Sequence, residues 1–170
     1  MRLQRASLFI GGENNMIRLN DYCSDNANDL WGIYFHTIRH INIRDYSLVQ
    51  VAAWAPANID PKRWLNKMEA IKPFIAKIDG KPVGYADLQQ DGLIDHFFCH
   101  HLFQSKGVGR ALMVHVEQQA KKRGISRLYS HVSITARPFY ERMGFVVVKE
   151  QLVEVRSQHL RNFVMEKRLK

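Results

Sequence analysis

The chain has 170 residues, with 25 Lys and Arg against 16 Asp and Glu for a formal net charge of +9, and 46% of its residues are hydrophobic. A chain of this size and apolarity buries about two thirds of its unfolded surface, which excludes intrinsic disorder and collagen-like or linker character. Cys23 and Cys99 are too few for a disulfide framework or a four-ligand zinc site, no apolar run approaches the ~20 residues of a membrane helix, and Ala6 to Ile10 is too short for a signal-peptide core, so a cytoplasmic protein is expected.

Residues 1–15 read as an N-terminal arm, with order left open, and residues 16–170 as one domain. Met16 to Leu19 alternates like a short strand, and Asp25 to His40 carries Leu30, Ile33, Tyr34 and Ile38 at helical spacing. Residues 45–70 read as helix in pieces, broken at Ala55-Pro56 and Asp60-Pro61, because proline disfavours helix at the residue before it. Phe74 to Ile78 and Pro82 to Leu88 read as a hairpin about Asp79-Gly80, a pair that accepts the positive φ of a tight turn. After a second turn at Gln90-Asp91-Gly92, Leu93 to Cys99 reads as a third strand.

Gly107 to Arg123 places Val108, Leu112, Val116 and Ala120 on one stripe and stops at Gly124, as a helix should. Arg127 to Ser133 is the next strand. Ala136 to Met143 is a short helix closed by Gly144, and Phe145 to Val155 and Leu160 to Lys167 form a last strand pair. The strand, helix, strand crossover from 93 to 133 implies one parallel pair in an otherwise antiparallel sheet. The expected class is α/β with a mixed sheet.

The sharpest local signal is Gln104-Ser-Lys106-Gly107-Val108-Gly109-Arg110, between a strand and a helix. A helix N-terminus presents unpaired N–H donors and a partial positive charge, and glycines let an anion approach them, so the turn suits a pyrophosphate. Lys106 and Arg110 add charge. A dinucleotide fingerprint fails at Leu112, where a third glycine is needed, and a P-loop fails for want of Gly-Lys-Ser/Thr. The excess positive charge favours anionic partners, but nucleic acid is not favoured, since Lys and Arg are spread along the chain and no nucleic-acid motif appears.

These residues resemble those of the GNAT superfamily of acyl-CoA-dependent N-acyltransferases. Its motif of Gln or Arg, two residues, Gly, one residue, Gly or Ala is similar to Gln104, Gly107 and Gly109. A second motif, a short helix with Phe-Tyr ending in Gly-Phe, resembles Ala136 to Phe145, with Phe139, Tyr140, Gly144 and Phe145 in place. The chain departs where many members carry Asn and it has Ser133. The resemblance spans residues 16 to 168.

It implies a mostly antiparallel sheet with one splayed parallel pair and acetyl-CoA as cosubstrate. The pantetheine arm lies in the splay like a false strand on the backbone of Phe97, Phe98 and Cys99, with an N–H near Phe98 or Cys99 polarising the thioester carbonyl. Gln104, Lys106, Gly107, Val108, Gly109, Arg110, Ser133 and Phe139 complete the expected cofactor contacts. A β-carbon at Gly107 or Gly109 is expected to meet the pyrophosphate. Tyr140 is the expected proton donor to the leaving thiolate, with packing beside Phe139 its bland alternative.

For the base, Asp95 stands first, as a carboxylate costly to bury inside Leu93-Ile-Asp-His-Phe-Phe without a partner. His96, His131 and water remain alternatives. Trp54, Trp64 and Tyr85 are candidates for the acceptor wall, with core packing expected for at least one tryptophan. A metal at Cys99-His100-His101 is not expected, since adjacent histidines on an extended segment point apart. The acceptor is an unidentified primary amine, and homodimer formation stays open. A CoA-binding sensor or interaction module without turnover is the competing function.

Overall fold

A computed structural model describes residues 7–8 and 16–170. The anticipated arm therefore lies outside the described residues except for β1 (Ser7–Leu8), which pairs with β2 (Ile17–Asn20). Then follow α1 (Ala27–His40), α2 (Leu48–Trp54) and α3 (Pro61–Ile71), the last two separated at the predicted prolines. Ser47 and Gln50 make a capping box at the start of α2, and Asp60 caps α3 ahead of Pro61, so local chemistry sets both boundaries.

Next come β3 (Phe74–Ile78), β4 (Lys81–Ala86), β5 (Leu93–Ile94) and β6 (Phe97–Cys99). The chain ends with α4 (Val108–Lys122), β7 (Arg127–Ser133), α5 (Arg137–Arg142), β8 (Val146–Val155) and β9 (Gln158–Arg168). The final hairpin turns at Arg156 and Ser157, whose φ angles are 45° and 64°.

The strands form two sheets, β1-β2-β3-β4-β6 and β5-β7-β9-β8. The expected single strand from Leu93 to Cys99 is corrected by this division. Its first two residues pair parallel with β7, and Phe97–Cys99 pairs antiparallel with β4. The break falls at Asp95-His96, and Asp87 fixes it. The Asp87 carboxylate is fully buried, and its Oδ1 accepts the Asp95 N–H at 2.9 Å and the His96 N–H at 2.7 Å. The predicted strand to Leu88 correspondingly stops at Ala86.

The main core lies between the first sheet and α4 and continues to the second sheet and α5. Val108, Leu112, Val116 and Ala120 of α4, all buried, meet Val83, Ile94, Leu128 and Met165. At Gly84 a β-carbon would sit 2.8 Å from Val108 Cγ1, so the close seat of α4 on β4 needs glycine there. β8 is an edge strand whose register with β9 slips between Val147 and Lys149, and Val146, Val147, Val148 and Leu152 are exposed along it.

Candidate active site

A cleft of about 720 Å³ opens where β6 and β7 part. β7 loses its parallel partner after Ser130, and β6 is the last strand of its own sheet. Main-chain groups along the gap follow from the antiparallel ladder of β6 with β4. His100 N–H donates to Val83 O at 2.8 Å and Asp87 N–H donates to His96 O at 3.1 Å, with Phe98 opposite Tyr85 between them. Close and wide pairs alternate in such a ladder, so Phe98 spends its N–H and C=O on Tyr85. Phe97 and Cys99 turn theirs away from β4.

This corrects the expectation for Phe98, whose main chain is committed to the sheet. The Cys99 carbonyl is also taken, by Thr37 Oγ1 and Gln104 Nε2 at 2.8 Å each. The cleft side of β6 is left with the Phe97 N–H, the Phe97 C=O and the Cys99 N–H. Gln104 thus closes the end of the open edge. Thr37, a hydroxyl on the buried stripe of α1, makes the same bond from the other side, a role absent from the sequence reading.

At the end of the cleft, Gly107 caps α4 with φ 83°, and the first helical bond is Ala111 N–H to Gly107 O at 3.0 Å. The N–H groups of Val108, Gly109 and Arg110 precede that bond and line the cleft with their residues. The Val108 side chain itself is core. Arg110 and Arg142 are exposed cations in the cleft wall, whereas Lys106 Nζ lies over the Phe103 ring, 5.0 Å from its centroid.

Gly109 differs from expectation. A β-carbon there would lie 3.2 Å from Phe139 Cε2 and Cζ and 3.4 Å from Cys99 Sγ. Protein packing therefore favours glycine here, because a side chain would have to push the Phe139 ring aside. Gly109→Val is accordingly expected to lower both the melting temperature and CoA affinity, which differential scanning fluorimetry and titration calorimetry on the same preparation will read; an unchanged melting temperature would contradict this placement.

On the far wall, Ser133 Oγ accepts from Ala136 N–H at 3.0 Å and from Asn42 Nδ2 at 3.3 Å. The hydroxyl acts first as a turn into α5, and an amide reaches this point from Asn42 instead. Phe139 packs on Phe97, with ring centroids 5.4 Å apart. Thr135 Oγ1 and Asn162 Oδ1 line the cleft as buried polar atoms without a partner, so the cleft has polar capacity to spare for a ligand with amide and hydroxyl groups.

Tyr140 is buried, and its hydroxyl donates to Ser130 Oγ at 3.4 Å, which in turn donates to Ile94 O at 2.7 Å. Burial pushes this phenol well above its ordinary value, with the bond to Ser130 opposing. It therefore keeps its proton at neutral pH. Burial likewise pushes the Cys99 thiol up to about 12.

Asp95 lines the cleft but is exposed and paired with Lys67, Nζ to Oδ2 at 2.6 Å. The expected placement inside the apolar run is corrected, because the break at Asp95-His96 turns this side chain out of the alternation that the run suggests. His96, half-buried, turns inward instead. Its Nδ1 lies 3.0 Å from the Tyr85 hydroxyl, and burial pushes it down to about 4 against the pull of Asp95, so its imidazole is neutral at pH 7. His131 is exposed on β7, with Nδ1 3.4 Å from Gln151 Nε2.

Of the three anticipated acceptor-wall residues, only Trp54 lines the cleft. Trp64 is core, its Nε1–H donating to Ala27 O at 2.7 Å, and Tyr85 is fully buried. The His100 and His101 rings stack, with centroids 4.6 Å apart, because the chain forms a 3-10 turn there instead of continuing extended. His36 and His40 of α1 join them from the side. Among the described residues no group of three or more His, Cys, Asp or Glu is arranged to hold a metal ion.

Comparison with known proteins places this two-sheet fold, parted beside a glycine-led helix, in a family. The family model for the acetyltransferase (GNAT) domain matches residues 42–169. The chain belongs to this family of acyltransferase enzymes. It is 32% identical over 151 residues to an uncharacterised N-acetyltransferase, YafP, of Escherichia coli strain K12, covering 89% of this chain and 95% of that protein. A GCN5-related N-acetyltransferase structure from Rhodopseudomonas palustris superposes with a TM-score of 0.85 at 29% identity, covering 89% of this chain and 94% of that one. The PaiA N-acetyltransferase of Thermoplasma acidophilum, solved with coenzyme A, shares the fold with a TM-score of 0.71 at 18% identity, covering 90% and 99%. Among the described residues no helix is long and apolar enough to cross a membrane.

Proposed function

We propose that the protein transfers an acetyl group from acetyl-CoA to a primary amine by direct attack, without a covalent enzyme intermediate. The observation that carries this reading is the unpaired edge of β6, where the Phe97 N–H and C=O and the Cys99 N–H face the cleft between a glycine-capped helix N-terminus and the Tyr140 hydroxyl. Acetyl-CoA supplies an activated acyl group and an anionic tail, and the edge and the helix end match the two.

The Phe97 and Cys99 main chain binds the pantetheine amides as a neighbouring strand would. The N–H groups at the start of α4, with Arg110 and Arg142, take the pyrophosphate. Lys106 and Gln104 belong to the same turn, Gln104 by holding the Cys99 carbonyl out of the way. The N–H of Phe97 or Cys99 stabilises negative charge developing on the carbonyl oxygen, a contribution of about 3–4 kcal/mol where such a donor has been removed.

Tyr140 gives its proton to the departing thiolate, in an apolar setting that destabilises thiolate and phenolate alike and keeps the phenol protonated until the thiolate forms. Ser130 positions that hydroxyl. Asp95 takes the proton of the alkylammonium, directly or through water; neutral His96 is a poor base, and His131 stands across the cleft. With its thiol held protonated, Cys99 is not the acyl carrier. Cys99→Ala is expected to retain turnover within a few-fold, and a trapped acetyl-cysteine in the wild-type protein would overturn direct transfer.

The test is thiol release from acetyl-CoA with a panel of polyamines, aminoglycosides, amino acids, peptides and aminoacyl-tRNA. Acetylation of at least one amine, abolished by denaturing the protein, is expected. Tight CoA binding with no amine acetylated would leave a binding module instead.

A further inference from the structure

Lys67, on α3, is the only residue that pairs with the Asp95 carboxylate among the described side-chain contacts. Its helix is held firmly. Asp60 caps α3, Pro61 starts it, and Trp64, Met68 and Ile71 are buried beneath it, with Trp64 tied to α1 through Ala27 O at 2.7 Å. The backbone of Lys67 is thus fixed, while its side chain is 44% exposed and has four methylenes over which to swing. A primary alkylammonium of the chain itself therefore rests on the carboxylate to which the acceptor amine is assigned.

From this juxtaposition of Lys67 Nζ with Asp95 at the rim of the cleft, and resting on the transferase reading above, we infer that Lys67 is a site of self-acetylation. In the absence of an acceptor, Lys67 loses one proton to Asp95 and its free amine forms an N–C bond to the acyl carbon. The C–S bond breaks, the sulfur receives a proton from Tyr140, and the second ammonium proton passes to solvent. The products are one acetyl-lysine and one free CoA thiol, with no oxidant or reductant involved. Lys67 does not itself line the cleft, but its Nζ is held on a cleft-lining carboxylate, and an amine tethered there needs no encounter step, which gives it an advantage over any exposed lysine that meets acetyl-CoA in solution.

The modification has a local consequence. Acetyl-Lys67 carries no charge and cannot pair with Asp95, so the carboxylate is released to an incoming ammonium.

The full chain is incubated with acetyl-CoA and no added amine, digested and mapped by mass spectrometry. Lys67 is expected to carry a single acetyl group, formed at a rate independent of protein concentration and about 10²-fold or more above that of exposed Lys122, the lower bound for positioned acid–base groups. Tyr140→Phe should slow labelling of Lys67 by a similar factor and leave Lys122 unchanged. Lys67→Arg, which keeps the ion pair, serves as the folded control without a label at this position. An unmodified Lys67, labelling no faster than at Lys122, or labelling indifferent to Tyr140→Phe overturns the inference. If free amines are acetylated by the same preparation while Lys67 stays unmodified, self-transfer alone fails; if neither is acetylated, the transferase reading falls with it.

Discussion

Tyr140→Phe is expected to lower kcat by ~10²–10⁴-fold, the range contributed by general acid–base groups, with an acceptor that turns over well. The substitution keeps the ring and its contacts with Phe97, Phe139 and Phe145. It removes one weak hydrogen bond to Ser130, so stability and CoA affinity should change by no more than ~1.5 kcal/mol. The pH profile is a further check. Because burial raises the phenol above its usual range, wild-type kcat should not decline at the pH where an exposed tyrosine ionises. Wild-type kcat in the variant would leave proton donation to water and reduce Tyr140 to packing.

The largest effect on stability is expected at Asp87. Asp87→Leu deprives the N–H groups of Asp95 and His96 of their acceptor inside the protein, at ~1–3 kcal/mol each. Asp87→Asn keeps an acceptor oxygen in place. The leucine variant should therefore lie about 2–6 kcal/mol below the asparagine variant in chemical denaturation, and its kcat/KM for acetyl-CoA should fall at least tenfold as the β5–β6 break loosens. Equal stability of the two variants would show that the carboxylate does not hold the break.

The charge on Asp87 has a separate signature. Burial raises its pKa from 3.8 to about 6, against the bonds from His96 N–H and Gln89. The folded protein thus holds a proton that the unfolded chain has released between these values. Its contribution to stability is greatest below pH 3.8 and is lost as pH rises through about 6, a difference of roughly 3 kcal/mol. Asp87→Asn should flatten that part of the stability curve, measured by denaturation at pH 4, 5, 6 and 7 and compared with wild type.

Most of the order of elements is legible in the chain because it rests on local signals. Prolines 56 and 61 mark the gap between two helices, Asp79-Gly80 makes a hairpin, and Gly107, Gly124 and Gly144 punctuate α4 and α5, each with a positive φ. Gly107 and Gly109 stand out by their place between a strand and a helix, whereas Gln104 and Tyr140 stand out through the family resemblance. The division of Leu93 to Cys99 is not local. Leu93, Phe97 and Cys99 alternate as one strand would, and only the Asp87 side chain, brought alongside by the β4 turn, breaks the run. The same hidden break explains why Asp95, inside by alternation, lies outside; the commitment of the Phe98 main chain follows instead from its register with Tyr85. A trace of Asp87 does exist in the letters, as an acid closing the apolar run Val83 to Ala86. Nothing comparable announces Thr37, Ser130 or Lys67, whose roles depend on elements far away in sequence.

The slipped register of β8 bears on how the molecule behaves in concentrated solution. Its two-residue hairpin closes on Val155 and Gln158, and in such a hairpin the closing pair is hydrogen-bonded and every second pair after it. Glu150, Leu152 and Glu154 are thereby the residues whose main-chain groups point off the sheet. A second copy adding there symmetrically about Leu152 would bring Glu150 against Glu154 at both ends, two like-charge pairs that disfavour the addition. A symmetric shift of the pairing centre towards Val146 meets the extra residue at Val148, where the ladder is out of step. An edge of ten residues bearing four exposed large hydrophobics is in this way kept from templating fibrous stacks.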